Sequence, residues 1–195
     1  NRWHDGWIKY SWHVMTFIPP SLEKVIEEFS KFPGIGKKTA QRLGIHVLKS
    51  NSENIMNLAQ ALIDVKEKIK TCELCHNISE TSPCLLCLDP KRDKTILCVV
   101  EDSSDIMLIE KTGYNGLYHV MGGTISPLEG ISAEHIFIDD ILDKVDQFNE
   151  IIISTNASID GDTTSLYIQR LLNDKEIKIT RLARGLPVGG QLEYV

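Results

Sequence analysis

Four of the five cysteines fall in one short stretch, as Cys72-Glu73-Leu74-Cys75 and Cys84-Leu85-Leu86-Cys87, and this C-x2-C-x8-C-x2-C spacing constrains the chain more than any other feature. Each pair presents two thiolates from a tight turn, and two such turns complete a tetrahedral zinc site. Four thiolates fill the coordination sphere and leave no position for a reacting water, so a zinc ion held here is structural. Two disulfides are the alternative use of the same four residues. His76 and His46 are read as ordinary side chains, and Cys98, inside an apolar run, as a small buried group.

The charge on either side of this motif is unequal. Residues 1–71 carry 11 basic and 7 acidic side chains, residues 72–87 only two acids, and residues 88–195 10 basic and 18 acidic side chains, within a formal net charge of -6. A basic first part can approach phosphates and an acidic last part repels them, so nucleic-acid contact is expected only before residue 72. The acidic part suits a metal ion, a basic partner or plain solvation. No run approaches the roughly eighteen apolar residues that a membrane span needs, and no apolar run follows the first basic residues as in a secretory leader. The expectation is a cytoplasmic protein.

Residues 1–14 hold all three tryptophans (Trp3, Trp7, Trp12) with no period linking them to a core. They are read as a non-native or upstream extension, with Met15 as the start. Helical spacing begins after Pro20 with Leu22, Val25, Ile26 and Phe29, Ser21 serving as cap. A second helix carries Ala40, Leu43, Val47 and Leu48, and a third Ile55, Leu58, Leu62, Val65 and Ile69, all three closing on one small core. Beyond Pro90, strands are expected at Thr95–Val100, Leu117–Val120, Ile151–Ser154 and Ile177–Leu182. Helices are expected at Asp105–Lys111, Asp139–Phe148 and Thr163–Leu172. That alternation predicts a mainly parallel sheet with helices on both faces. The fold class is therefore α/β with small appended modules. Its parts are the extension at 1–14, a helical domain at 15–71, the cysteine motif at 72–88, the sheet domain at 89–184 and a C-terminal segment at 185–195.

Two further motifs bear on function. Phe32-Pro33-Gly34-Ile35-Gly36-Lys37-Lys38-Thr39-Ala40 separates the first two helical patterns. Gly34 and Gly36 let the backbone come close to another surface, and the amides opening the next helix suit a phosphate oxygen. Lys38 and Arg42, four apart, project from one face beside the turn, with Lys37 adjoining. This is the pattern of a helix-hairpin-helix element, which reads DNA backbone without sequence. A glycine turn with solvated bases, or a protein contact, uses the same residues. The other motif is acidic: Glu101 follows one strand and Asp160-Gly161-Asp162 another. Carboxylates at the ends of parallel strands can hold Mg²⁺, as in the Toprim domains of topoisomerases and primases, or form a solvated rim.

With these pieces in order, the chain resembles the RecR family of bacterial recombination mediators. The likeness lies in SLEKVIEEFSKFPGIGKKTAQR at 21–42, the four-cysteine segment, VVEDSSDIMLIEKTGYNGLYHVMGGTISPLEGI at 99–131 and RLARGLPVGGQLEY at 181–194. It runs from about Met15 to the last residue. The resemblance implies a non-catalytic protein with an N-terminal helix-hairpin-helix, a zinc motif and a Toprim-like domain. It further implies a homo-oligomer, a dimer or a tetrameric ring encircling DNA, that acts with RecO and RecF to help RecA load at gaps. It places DNA contact at Lys38 and Arg42, zinc at the cysteines and partner contacts at the acidic edge. Two features depart from the family pattern. Asp160-Gly161-Asp162 stands where Glu-Gly-Glu is common, nearer to the metal-binding Toprim enzymes. The sequence also ends at Val195, where relatives usually continue, which is expected to weaken a ring if that tail joins subunits.

Three functions follow as expectations. The first is a DNA-binding mediator without turnover. The second is a Mg²⁺-dependent Toprim nuclease or nucleotidyl transferase using Glu101, Asp160 and Asp162. The third is a structural adaptor that meets DNA only through partners.

Overall fold

The computed structural model describes residues 18–183, and the chain divides into two compact units, 1–64 and 65–195. The extension at 1–14, the start at Met15 and the segment at 185–195 lie outside the described residues.

The first unit opens with α1 (Pro20–Ser30), which begins on two prolines. Pro20 brings the backbone angle that the first helical position needs, and the amides of Leu22 and Glu23 both find the Pro19 carbonyl. Ser21 therefore sits inside the first turn and is not the cap that was expected. A turn leads to α2 (Lys37–Lys49), which packs against α1 through Ala40 and Gly44, its two buried residues. Leu22, Val25, Ile26, Phe29, Leu43 and Val47 are half-buried along this seam. Leu48, expected on the apolar side, is exposed. The helix α3 (Ser52–Lys68) buries no residue; Leu58, Leu62 and Val65 face solvent and Ile69 lies past its end. The expected single three-helix core does not form. The period correctly marks an apolar face, but among the described residues it stays largely exposed: Ile55 is half-buried, and Leu62 lines an open groove with Val25 and Phe29 of α1 and Phe32.

The second unit begins with a two-stranded antiparallel ribbon, β1 (Lys70–Thr71) with β2 (Ile78–Ser79), and the short α4 (Leu85–Leu88). Then come β3 (Asp93–Val100), α5 (Ser103–Glu110), β4 (Gly116–Val120), β5 (Glu150–Ser154), α6 (Ile159–Leu171) and β6 (Lys178–Arg181). The last four strands form one all-parallel sheet in the order β4-β3-β5-β6. Alternate residues of each strand go to opposite faces. Leu97, Val99, Met121, Ile151 and Ile153 pack on one side with Ile168 and Leu172 from α6 and its end. Cys98, Val100, Tyr118 and Val120 pack on the other with Ile106 from α5 and Leu86 from α4. Burial on both faces explains why β3 and β5 read as unbroken apolar runs.

Two expected helices change. Residues 139–148 form two separate 3-10 turns, Asp139–Ile141 and Val145–Gln147, and another lies at Ala133–His135. The ladder breaks at Lys144, whose backbone takes φ -123 and ψ -1. Ile138, Ile141, Val145 and Phe148 still reach the core, because residues three apart share a face of a 3-10 turn as they do of a helix. The helix expected from Thr163 begins earlier, at Ile159. Ser158 caps it by accepting from the Gly161 amide at 3.0 Å, so Asp160-Gly161-Asp162 lies in its first turn and not in a loop.

Candidate nucleic-acid interface and metal centre

In the hairpin of the first unit, Gly34 takes φ +78, a left-handed turn that glycine enters without steric cost. Gly36 differs: its φ of -78 is ordinary extended backbone. A Cβ built at either position meets nothing within 4 Å. Nothing among the described residues therefore requires a glycine at 36. What its missing side chain leaves free is the outer surface of the turn, over the start of α2. Among the described residues no side chain caps that helix, and Ala40 is the first residue of it whose amide reaches a backbone carbonyl, Gly36 O at 2.9 Å. The amides before it point outward, with the partial positive charge of a helix start. Lys37, Lys38 and Arg42 are all exposed, and Lys38, Gln41, Arg42, Ile45, His46 and Lys49 line one face of the helix. The turn, the open amides and a basic helix face thus lie together. A phosphate backbone fits there chemically.

The metal centre opens the second unit. The Cys72 amide donates to Asn77 O at 2.8 Å and the His76 amide to Cys72 O at 2.9 Å, closing a tight turn around the first thiol pair. His76 has a left-handed φ of 59; its ring stacks on Phe137 at 4.0 Å, and its Nε2 lies 2.7 Å from Asp140. In the second pair, Cys84 is the N-cap of α4 and Cys87 lies within its single turn. The four Sγ atoms all lie within 4.8 Å of one another. Cys75 and Cys84 are 3.5 Å apart and Cys72 and Cys87 4.0 Å. Disulfide sulfurs would sit about 2 Å apart. Four sulfurs about 2.3 Å from a central zinc are roughly 3.8 Å from each other, so the cluster fits the ion.

The surroundings favour thiolates unevenly. Burial alone would raise the Cys72 thiol, but amide hydrogen bonds from Cys84, Leu74 and Cys75 bring it down to about 7. A hydrogen bond with Cys87 and burial push Cys75 up, and burial raises Cys84. A divalent cation is what would let all four ionise together. The module is also tied to the sheet domain, through Val120 N–H to Cys75 O at 2.8 Å and Ile78 N–H to Ser103 Oγ at 3.2 Å. Among the described residues these cysteines are the one group of three or more possible ligands brought this close.

The acidic edge is organised differently. The order β4-β3-β5-β6 reverses direction between β3 and β5, and Glu101 leaves the end of β3 at that switch point. Both of its carboxylate oxygens are engaged: Asn156 N–H donates to Oε1 at 2.7 Å and Asn156 Nδ2 to Oε2 at 2.6 Å. Asp162 accepts from Arg181 at 2.7 Å. Glu101, Asp160 and Asp162 are drawn to one end of the sheet, but Glu101 and Asp162 are held by protein partners there. Sequence reasoning missed Asn156 and Arg181. No spacing announces them, because each meets its carboxylate only through the parallel alignment of β3, β5 and β6.

A parallel Toprim-type sheet carrying a four-cysteine zinc module, joined in one chain to a hairpin between helices, defines a class of DNA-handling architecture. Residues 95–183 match the Toprim domain, 22–66 the helix-hairpin-helix of RecR, and 69–89 the four-cysteine zinc finger domain of RecR. The recombination protein RecR of Chlorobaculum parvum is 46% identical over 189 residues, covering 93% of each chain, and that of Clostridium perfringens 45% over 182 residues, covering 92% of each. The chain belongs to the RecR family of recombination proteins, and its four-cysteine cluster is a structural zinc site.

Proposed function

We propose that this chain is a non-enzymatic mediator of recombinational repair that grips DNA by its backbone through the hairpin. The single observation that carries the reading is Gly36, a glycine that nothing among the described residues requires, beside uncapped helix amides and the exposed Lys38 and Arg42. One such patch supplies few phosphate contacts, so several copies acting together would raise the effective concentration and make weak grips sufficient. The exposed apolar residues of α3, among them Leu58, Leu62 and Ile63, support a homo-oligomer, a dimer or ring, as the working form. In this reading the assembly works in the cytoplasm with RecO and RecF to help RecA load, and the acidic edge serves partner contact. Glu101 and Asp162 already satisfied by Asn156 and Arg181 speak for that use over Mg²⁺ chemistry.

The test is DNA binding by the full chain, wild type against Lys38→Ala with Arg42→Ala, at low salt on single- and double-stranded DNA without sequence preference. The expected result is a loss of at least about tenfold on every sequence. Undiminished binding would remove the hairpin assignment. Binding that appears only when RecO is added would favour the adaptor reading, and Mg²⁺-dependent cleavage abolished by Glu101→Gln would favour the enzyme.

A further inference from the structure

A zinc ion with four thiolates carries a formal charge of about -2, which is costly to hold in a partly buried place without compensation. Residues 72–88 contain no lysine or arginine, and Glu73 and Glu80 add to the negative charge. Backbone amides reach the sulfurs, as Cys84 N–H does to Cys72 Sγ at 3.3 Å. They supply only partial charges. No full positive charge comes from residues 72–88 themselves.

Lys144 brings one. It lies far along the chain, between the 3-10 turns Asp139–Ile141 and Val145–Gln147. Its Nζ donates to the carbonyl of Leu74, inside the first cysteine pair, at 2.8 Å. Nζ also donates to Nδ1 of His119 at 2.8 Å. His119 is fully buried in β4, and its Nε2 faces the Phe137 carbonyl. With Nδ1 accepting from the ammonium and Nε2–H donating to Phe137 O, a neutral ring is the form that satisfies both contacts. Asp140, a carboxylate whose charge also acts on Lys144, is shared with His76. An ammonium that is half-buried, held on two sides and drawn out of a broken helix ladder to reach the cysteine turn is arranged for a charge it faces.

We propose that Lys144 is the countercharge of the zinc–thiolate centre, a positioning residue that lowers the cost of four ionised sulfurs and locks the zinc module onto the sheet domain. The inference rests on the zinc site described above.

Its test follows metal loss to a chromogenic chelator at fixed pH and salt. The proteins are the full-length wild type, Lys144→Met, Lys144→Gln, Lys144→Arg and, as a control, Lys175→Gln, a lysine of the neighbouring surface that meets Asp146. Lys144→Met and Lys144→Gln should each weaken zinc binding by about tenfold or more, the range for outer partners of metal ligands. Lys144→Arg should stay near wild type and Lys175→Gln should match it. Glutamine can still donate to Leu74 O but brings no charge. A glutamine variant with wild-type zinc affinity would therefore reduce Lys144 to a hydrogen-bonded tie and overturn the proposal. If Lys144→Met does not fold, the glutamine and arginine variants decide the matter alone. A wild-type protein that itself holds no zinc would contradict the metal site, a separate outcome.

Discussion

Gly36 and Gly161 look alike in the sequence, each a small residue beside charged ones, yet they exist for opposite reasons. A Cβ at Gly161 would come 2.3 Å from the Asn156 carbonyl and 3.0 Å from Glu101 Oε1, so that glycine belongs to the internal clasp of the acidic edge. At Gly36 a Cβ meets open space in an unstrained backbone. Gly36→Ala should therefore fold with stability within about 1 kcal/mol of wild type, yet bind DNA more weakly, because the added methyl stands where the phosphate backbone would approach. Urea unfolding beside a binding titration checks both halves; normal DNA binding by a well-folded variant would show that nothing comes close to this turn. The sequence made the hairpin residues legible because glycines, lysines and arginine are contiguous. It started the following helix at Thr163, past the acidic motif, although Ser158 followed by Asp160 and Asp162 is a readable helix start. It was silent on Asn156, Arg181 and Lys144, whose partners are set by tertiary alignment alone.

Among the elements, the buried strands were the most legible, since runs such as Ile96–Val100 and Ile151–Ile153 leave no other place for their side chains. Segment 139–148 was not, because a spacing of three and four residues fits a helix and successive 3-10 turns alike. The commitment of Lys144 to Leu74 and His119 goes with the break between those turns. Arg92 shows how elements are held in register. Lying just before β3, it donates to Glu110 Oε2 at the end of α5 at 2.5 Å and to the Gly116 carbonyl opening β4 at 2.9 Å. Tyr118 donates to the other Glu110 oxygen at 2.6 Å. The Arg92 hydrogen bond holds the Glu110 carboxyl below its usual range. The Arg92 side chain is 7% exposed and that of Glu110 34%, so Arg92→Met should cost about 2 kcal/mol, less than a fully buried pair because solvent screens the glutamate. A carboxyl with a depressed folded pKa contributes stability that is fully present above its unfolded value and lost as the pH falls through the folded one. The gap between Arg92→Met and wild type should accordingly close below about pH 4, as denaturant melts across a pH series would read. A gap unchanged down to about pH 3 would mean the variant lost packing and not the ion pair.

For the whole molecule, charge partition along the chain is the idea that joins sequence to function. Four of the bases before residue 72, Lys37, Lys38, Arg42 and Lys49, lie on the exposed α2 beside a turn open to close approach, while Glu101 and Asp162 of the sheet edge are drawn into contacts with Asn156 and Arg181. What the sequence could not convey was which apolar faces stay exposed among the described residues. Period alone carries no information about a partner, so the face of α3 reads as core in the sequence, while among the described residues Leu58, Leu62 and Val65 are exposed; the assembly proposed above would cover them. The direct test of the central claim is the salt dependence of DNA binding, with the log of the association constant plotted against the log of salt concentration for wild type and for Lys38→Ala with Arg42→Ala. The account predicts a steep wild-type slope that becomes shallower by at least about one in the double variant, since each phosphate contact on duplex DNA contributes about 0.9. Parallel lines of equal slope would contradict it.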